Sequence, residues 1–304
     1  MADDITFDQD FGAEPGRLAE LSPLVRRIVA ANGGPVTFTG TCTYLVGRGT
    51  VAVIDPGPDD PAHVAAILDA VRGESVSHIL VTHTHRDHSP AAAALKAATG
   101  ALLVGCAPHH AARSLAEGEA NRLEASNDHA YAPDQVMRDG DAVSGPGWTL
   151  GAVETPGHTA NHLAFALPQE SALFSGDHVM AWSTTFIGPP DGSMTEYMAS
   201  LDKVRCRDET IYWPGHGGPV REPRRFVRAL LHHRRQREAS ILNRLEAGDR
   251  TIGEMVPAIY QGLAPALRGA AALNVFAHLE DLVRRGLATS EGAPTLEGRY
   301  ARAR

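Results

Sequence analysis

"VTHTHRDHS", residues 81–89, sets three histidines and an aspartate within six positions, directly behind a short apolar run. His83, His85, Asp87 and His88 offer imidazole nitrogens and a carboxylate, the donors that a borderline cation such as zinc takes at ~2.0–2.2 Å. In an extended or looped backbone, positions 83, 85 and 87 alternate toward one side, while His88 can turn to a second centre. Crowding such groups with no ligand to share would be costly, so the run reads as a metal site. Three later residues fit the same purpose. His158 sits in "ETPGHTANH" (154–162), Asp177 in "LFSGDHV" (173–179) and His216 in "YWPGHGGP" (212–219). Each follows a strand-like run, and together the seven supply enough ligands for two ions.

The flanking segments explain how the seven would meet. "VTFTGTCTYLVG" (36–47) and "VAVID" (51–55) read as a hairpin, and "HILVT" (78–82) and "ALLVG" (101–105) as buried strands. "PAHVAAILDAVRG" (61–73) and "PAAAALKAATG" (90–100) have helical spacing. "WTLGAVET" (148–155), "HLAFALP" (162–168), "SALFSGD" (171–177) and "TIYWPGHG" (210–217) give a second set of strands. This order points to an α/β fold with two sheets face to face and helices outside. Before residue 35 there is one amphipathic stretch, "RLAELSPLVRRIVA" (17–30).

After about Glu222 the character changes. "EPRRFVRALLHHRRQREASILNRLEAG" reads as one long helix, Thr251-Ile252-Gly253-Glu254 has the form of a capping box, and Leu267 to Leu282 carry a third helical pattern. A short hairpin follows, completing a winged-helix-like parts list. The chain therefore divides into residues 1–221 and 222–304. Net charge is −8, yet residues 222–304 hold 14 Arg against 9 acidic residues, and residues 1–221 hold 14 basic against 27 acidic. The basic unit suits a phosphate backbone, although the arginines at 224, 225, 228, 234, 235 and 237 equally suit the solvated face of a helix.

H-x-H-x-D-H, followed by a single His, an Asp and a final His, resembles the signature of the metallo-β-lactamase fold superfamily, over roughly residues 36–221. The resemblance implies a four-layer αβ/βα sandwich with its site at one edge. It implies one ion held by His83, His85 and His158, another by Asp87, His88 and His216, and Asp177 bridging them. The cofactor expected is Zn2+, two per chain, although His and Asp ligands also suit manganese or iron. A hydroxide bridging the ions would be the nucleophile, oriented by the catalytic residue Asp87. Asp55 would orient a ligand histidine or the metal loop, or else would simply be a turn aspartate before Pro56.

His85 where flavodiiron proteins resemble one another in having Glu, Asp177 where common zinc β-lactamases place Cys, and only 39 positions between Asp177 and His216 set three branches aside. "GDHVMAWSTTFI" (176–187) and "NVFAHLEDLVRRGL" (274–287) resemble a smaller branch called beta-lactamase-like protein 2, over about residues 30–290. That likeness implies phosphodiester hydrolysis of single-stranded RNA. The rival is a thioesterase or glyoxalase-II-like hydrolase of small-molecule esters and thioesters, with Trp182, Phe186, Tyr197 and Met198 lining an acyl pocket. The same four would also serve to stack a base or to pack a loop. β-Lactam hydrolysis and a non-catalytic metal scaffold are further alternatives, and substrate-binding residues stay open. No run approaches the ~20 apolar residues of a membrane span, and the acidic start of the chain lacks a signal-peptide core. Cys42, Cys106 and Cys206 form no CxxC pair, read as small buried hydrophobes and suit a reducing cytoplasm. A homodimer through the C-terminal unit is a further expectation.

Overall fold

The computed structural model describes residues 5–304, and the first four residues of the acidic N-terminal run lie outside the described residues. Seven strands form the first sheet in sequence order: β1 (Ala19–Glu20), β2 (Val25–Val29), β3 (Cys42–Val46), β4 (Thr50–Ile54), β5 (Ser75–Val81), β6 (Leu102–Gly105) and β7 (Gln135–Val136). β1 to β4 pair antiparallel and β4 to β7 parallel. The parallel half is crossed by α1 (Pro61–Ala70) and α2 (Ala91–Thr99), as parallel neighbours require. The second sheet runs β12-β11-β10-β9-β8, from β8 (Ala142–Gly145), β9 (Trp148–Glu154), β10 (Leu163–Leu167), β11 (Ala172–Gly176) and β12 (Ile211–Pro214).

Period-2 alternation decides what each face meets. In β10, Leu163, Phe165 and Leu167 join the core between the sheets with Leu45, Val53 and Ile79, while Ala164 and Ala166 turn to the helices outside. Small residues on that outer face let α3 (Met194–Arg205) and the first half of α4 (Pro223–Glu246) lie close, through Leu201, Val204, Val227 and Leu230. The four layers are complete: helices, sheet, sheet, helices.

The later half of α4 joins α5 (Ile252–Ile259), α6 (Arg268–Arg284) and the hairpin of β13 (Ala288–Ser290) with β14 (Tyr300–Arg302) around a separate core of Ile241, Leu245, Met255, Val275, Leu279 and Tyr300. The Thr251 capping box is formed: Glu254 N donates to Thr251 Oγ1, and Thr251 N donates to Glu254 Oε2 at 2.9 Å.

Several expectations change. The stretch 17–30 holds two strands. Pro23 interrupts it, and β2 is buried on both faces, including Arg26 and Arg27. Arg26 donates through Nη1 to Glu74 at 2.6 Å and through Nη2 to Gly47 O at 3.2 Å. The strand expected at 36–47 begins only at Cys42, because Asn32 ties the preceding turn by accepting from Thr41 N at 2.9 Å. α3 has no counterpart among the expected helices; Ser193 caps it by accepting from Glu196 N. Arg234 is no solvated residue. It is 3% exposed, with its guanidinium 5.1 Å from the Tyr197 ring. Cys42 and Cys106 are buried as expected, whereas Cys206 is exposed, and all three are free thiols. Among the described residues, no helix is long and apolar enough to cross a membrane.

Candidate metal centre

Five strands deliver the chemistry at their C-terminal ends. β4 ends at Asp55, β5 at the His83–His88 loop, β9 before His158, β11 at Asp177 and β12 before His216. Backbone hydrogen bonds stitch the sheets together at this rim, from Leu163 N to Thr82 O and from Cys42 N to Gly215 O, both 2.8 Å. Close backbone approach at two glycines makes the loops fit. A Cβ on Gly157 (φ +139°) would lie 2.4 Å from Tyr197 Cα, and one on Gly215 would lie 2.4 Å from Asp177 Oδ1.

All seven residues singled out in the sequence come together. Their donor atoms form three overlapping groups, each within 4.8 Å: His83, His85 and His158; His83, His88 and Asp177; Asp87, His88 and His216. In the first, His85 Nδ1 lies 3.1 Å from His83 Nε2 and 3.0 Å from His158 Nε2. In the third, His216 Nε2 is 3.1 Å from Asp87 Oδ2 and 3.3 Å from His88 Nε2. Asp177 lies between them, 3.6 Å from His158 Nε2 through Oδ2 and 3.5 Å from His88 Nε2 through Oδ1.

The outer hydrogen bonds fix which nitrogen faces inward. His158 Nδ1 lies 2.6 Å from Phe186 O, His216 Nδ1 3.2 Å from Gly40 O, and His88 Nδ1 2.9 Å from Asp55 Oδ2. These oxygens can only accept, so each Nδ1 carries a hydrogen and each Nε2 is the nitrogen turned to the centre, able to take an ion once any proton on it is lost. Asp55 (φ +49°) also accepts from Thr82 N and Thr82 Oγ1, both at 2.8 Å, so it orients His88 and anchors the loop that begins at Thr82 at once. Thr82 Oγ1, having donated to Asp55, accepts from His83 Nδ1 at 3.0 Å.

The electrostatics divide the centre in two. Burial holds the His85 imidazole down to about 3, with His158 adding to it, and burial likewise lowers His83 and His158. Burial opposes charge on His216 too, but Asp177 and Asp87 outweigh it and lift that group to about 9. His88 is raised by the same contest, with Asp55 added. One half is thus neutral at pH 7, and the other holds protons against carboxylates. Inward ring nitrogens 3.0–3.3 Å apart and a buried Asp177 Oδ1 with no hydrogen-bond partner are poorly satisfied by one another. They match ligands around a shared cation, which at ~2.0–2.1 Å from tetrahedral nitrogens would set those nitrogens about 3.3 Å apart.

Some supporting residues were missed in the sequence. His162 Nδ1 bonds Thr155 Oγ1 at 2.8 Å, leaving Nε2 to accept from Asp177 N at 3.1 Å. A second histidine four positions after His158 was the available signal. Asn161 donates to Thr84 Oγ1 and to Ala107 O. Thr185 Oγ1 lies within hydrogen-bond reach of the carbonyls of Asp177 and His178, at 2.8 and 2.9 Å. Of the four residues offered as a pocket, Tyr197 is core, with its hydroxyl donating to His178 O. Trp182 is half-buried and stacks on Phe38 at 4.9 Å beside Gly217. Phe186 is half-buried beside His158, and Met198 is half-buried against the outer core.

Residues 36–216 match the profile of the metallo-beta-lactamase superfamily, and residues 251–298 match that of the beta-lactamase associated winged helix domain. The chain is 30% identical over 275 residues to a beta-lactamase-like protein 2 homolog of Caenorhabditis elegans, covering 89% of this chain and 88% of the relative. It is 30% identical over 243 residues to an atrochrysone carboxyl ACP thioesterase of Aspergillus fumigatus, covering 77% and 70%. Among solved structures, a metallo-beta-lactamase family protein from Thermus thermophilus superposes with a TM-score of 0.75 at 24% identity, covering 93% of this chain and all of that one. A beta-lactamase domain protein from Burkholderia ambifaria superposes with a TM-score of 0.78 at 22% identity, covering 96% of each chain.

Proposed function

The chain belongs to the metallo-beta-lactamase superfamily of metal-dependent hydrolases, and from that premise we propose a two-zinc hydrolase of acyl thioesters. His83, His85 and His158 would hold one ion, Asp87, His88 and His216 the other, and Asp177 both. Bound there, the ions supply acidified water and a polarised carbonyl. The protein's own part is positioning. Asp55, Phe186 O and Gly40 O keep three histidines in the ligand tautomer. Asp87 is the open carboxylate, its side chain 26% exposed against 8% for Asp177. It orients the attacking water and carries its proton toward the leaving sulfur.

The observation that carries the substrate class is the wall of the centre. Phe38 stacked on Trp182 stands on the His216 side, and Phe186, with Leu123 near it, stands on the His158 side. An apolar acyl chain suits such walls, and one similar protein is named a thioesterase. The basic excess of the C-terminal unit is largely engaged. Arg224 pairs with Asp208, Arg244 with Asp249, Arg285 with Glu238 and Asp281, and Arg234 is buried against Thr185 O. Cleavage of single-stranded RNA is the second reading, favoured by similarity to beta-lactamase-like protein 2 homologs across both units.

Zinc-loaded protein assayed on an S-acyl N-acetylcysteamine thioester and on an unstructured RNA oligonucleotide, with and without chelator, separates the two. Chelator-sensitive thioester turnover with inert RNA is expected. The reverse result would move the protein to the nuclease reading. Asp177→Ala should abolish turnover on either substrate, and survival of most activity would sink the two-ion assignment.

A further inference from the structure

A cleft of about 760 Å³ opens at the edge of the sandwich, away from the metal rim, between β2 of one sheet and β12 of the other. Phe11, Leu24, Arg27, Trp213, Arg221 and Glu170 contribute to its lining. Arg27 is the anomaly. Its residue is only 8% exposed and its guanidinium lies over the Phe11 ring at 4.4 Å, yet Nε is buried without a partner. Among the described residues, no ion pair or side-chain hydrogen bond is made by Arg27. Its neighbour Arg26, in the same strand, has both through its Nη atoms, although its Nε too lacks a partner.

The acids nearby do not answer it. Glu170 is engaged by Ser22 Oγ and by Leu24 N at 2.8 Å, and Glu20, also on the lining, pairs with Arg48. Trp213, 6% exposed, adds a second buried donor, Nε1, with no acceptor. A buried guanidinium nitrogen with no acceptor is costly, and the two Nη groups, which bond no protein atom among the described residues, are open to an acceptor in the cleft. The planar fork matches a carboxylate, and the faces of Phe11 and Leu24 match an apolar body attached to it.

We propose that this cleft binds a small organic carboxylate with an apolar body, its carboxylate on Arg27. The proposal stands apart from the hydrolytic centre and does not depend on the thioester reading.

The test uses the indole N–H resonances of the zinc-loaded full chain, which has three tryptophans. Trp213 reports the cleft, Trp182 the metal side through its place beside Gly217, and Trp148, bonded to Thr50 O, serves as reference. Trp213→Phe assigns the signal. Titration with 4-fluorobenzoate should shift the Trp213 resonance saturably. Arg27→Met should weaken that binding at least about tenfold, the factor expected for loss of a charge-assisted contact. Neutral 4-fluorobenzyl alcohol should leave the signal in place. If Arg27→Met fails to fold, Arg27→Lys, which keeps the charge but not the fork, must still show weakened binding. The proposal is overturned if only Trp182 moves, if binding survives loss of the guanidinium, or if 4-fluorobenzyl alcohol binds as well. It is also overturned if the Trp213 signal follows protein concentration instead of benzoate, which would mark a surface between two copies.

Discussion

At the residue scale, the centre is held by contacts just outside the proposed ligands. Asp55 serves three hydrogen bonds with two oxygens, tying Thr82 and His88 to the end of β4. Asp55→Asn keeps the shape but removes the charge and places an NH2 where acceptors are needed. Zinc affinity, measured by competition with a chelator, should fall about 10- to 100-fold, and unchanged affinity would mean that Asp55 is only a turn residue. The split electrostatics have their own consequence. In the absence of zinc, His216 is raised to about 9 by Asp177 and Asp87 against the pull of burial, and His85 is held down to about 3 by burial and His158. A group with a raised value is protonated at pH 7, and an entering cation must displace that proton. Filling of the Asp87, His88 and His216 side should therefore tighten as pH rises from 6 toward 9, releasing protons as it does. The His83, His85 and His158 side should change little over that window. Calorimetric zinc titrations in buffers of different ionisation enthalpy would read this, and equal proton release at both sides would contradict it.

Legibility at this scale followed ligand chemistry. The seven His and Asp residues stood out because they are crowded or sit in glycine-marked loops after strands. Asp55 could be read either way, since a turn aspartate before proline looks the same in one dimension. His162 and Thr185 did not show, because they act only on groups that the fold brings to them: Asp177 N in one case, the carbonyls of Asp177 and His178 in the other.

At the element scale, α4 and α6 do more than pack. Arg234 of α4 donates to Thr185 O and reaches Asn274 of α6 at 3.4 Å, and Asn274 Oδ1 accepts from Ile187 N at 3.2 Å. The loop clamped in this way carries Phe186, whose carbonyl fixes His158. Arg234→Met, which keeps the aliphatic stem, should lower turnover on the order of tenfold while zinc content and helical content stay near wild type. Turnover equal to wild type would show that the clamp is dispensable. None of this was visible in a run of six arginines, where a buried cation and a solvated one look alike. β2 was hidden for a related reason. Two adjacent arginines in "VRRIV" suggest a polar face, whereas both are buried, one against Glu74 and one facing the edge cleft. α3 was missed because its sequence is weakly apolar and its cap, Ser193, follows a Gly-Pro-rich loop.

At the scale of the whole molecule, the order of strands and helices was readable because both faces of each sheet are covered, so the strands appear as plain apolar runs. The winged-helix unit was readable from its capping box and helical spacing. What the sequence did not reveal is that α4 belongs to both cores, through Val227 and Leu230 at one end and Ile241 and Leu245 at the other. This continuity makes the C-terminal unit part of the support of the centre. The most direct test of the centre itself is elemental analysis and thioester turnover on one purified sample of the full chain. About two zinc ions per chain, with turnover lost on chelation and regained on adding zinc, is the expected result. Fewer than one firmly held ion per chain, or turnover indifferent to chelator, would contradict it.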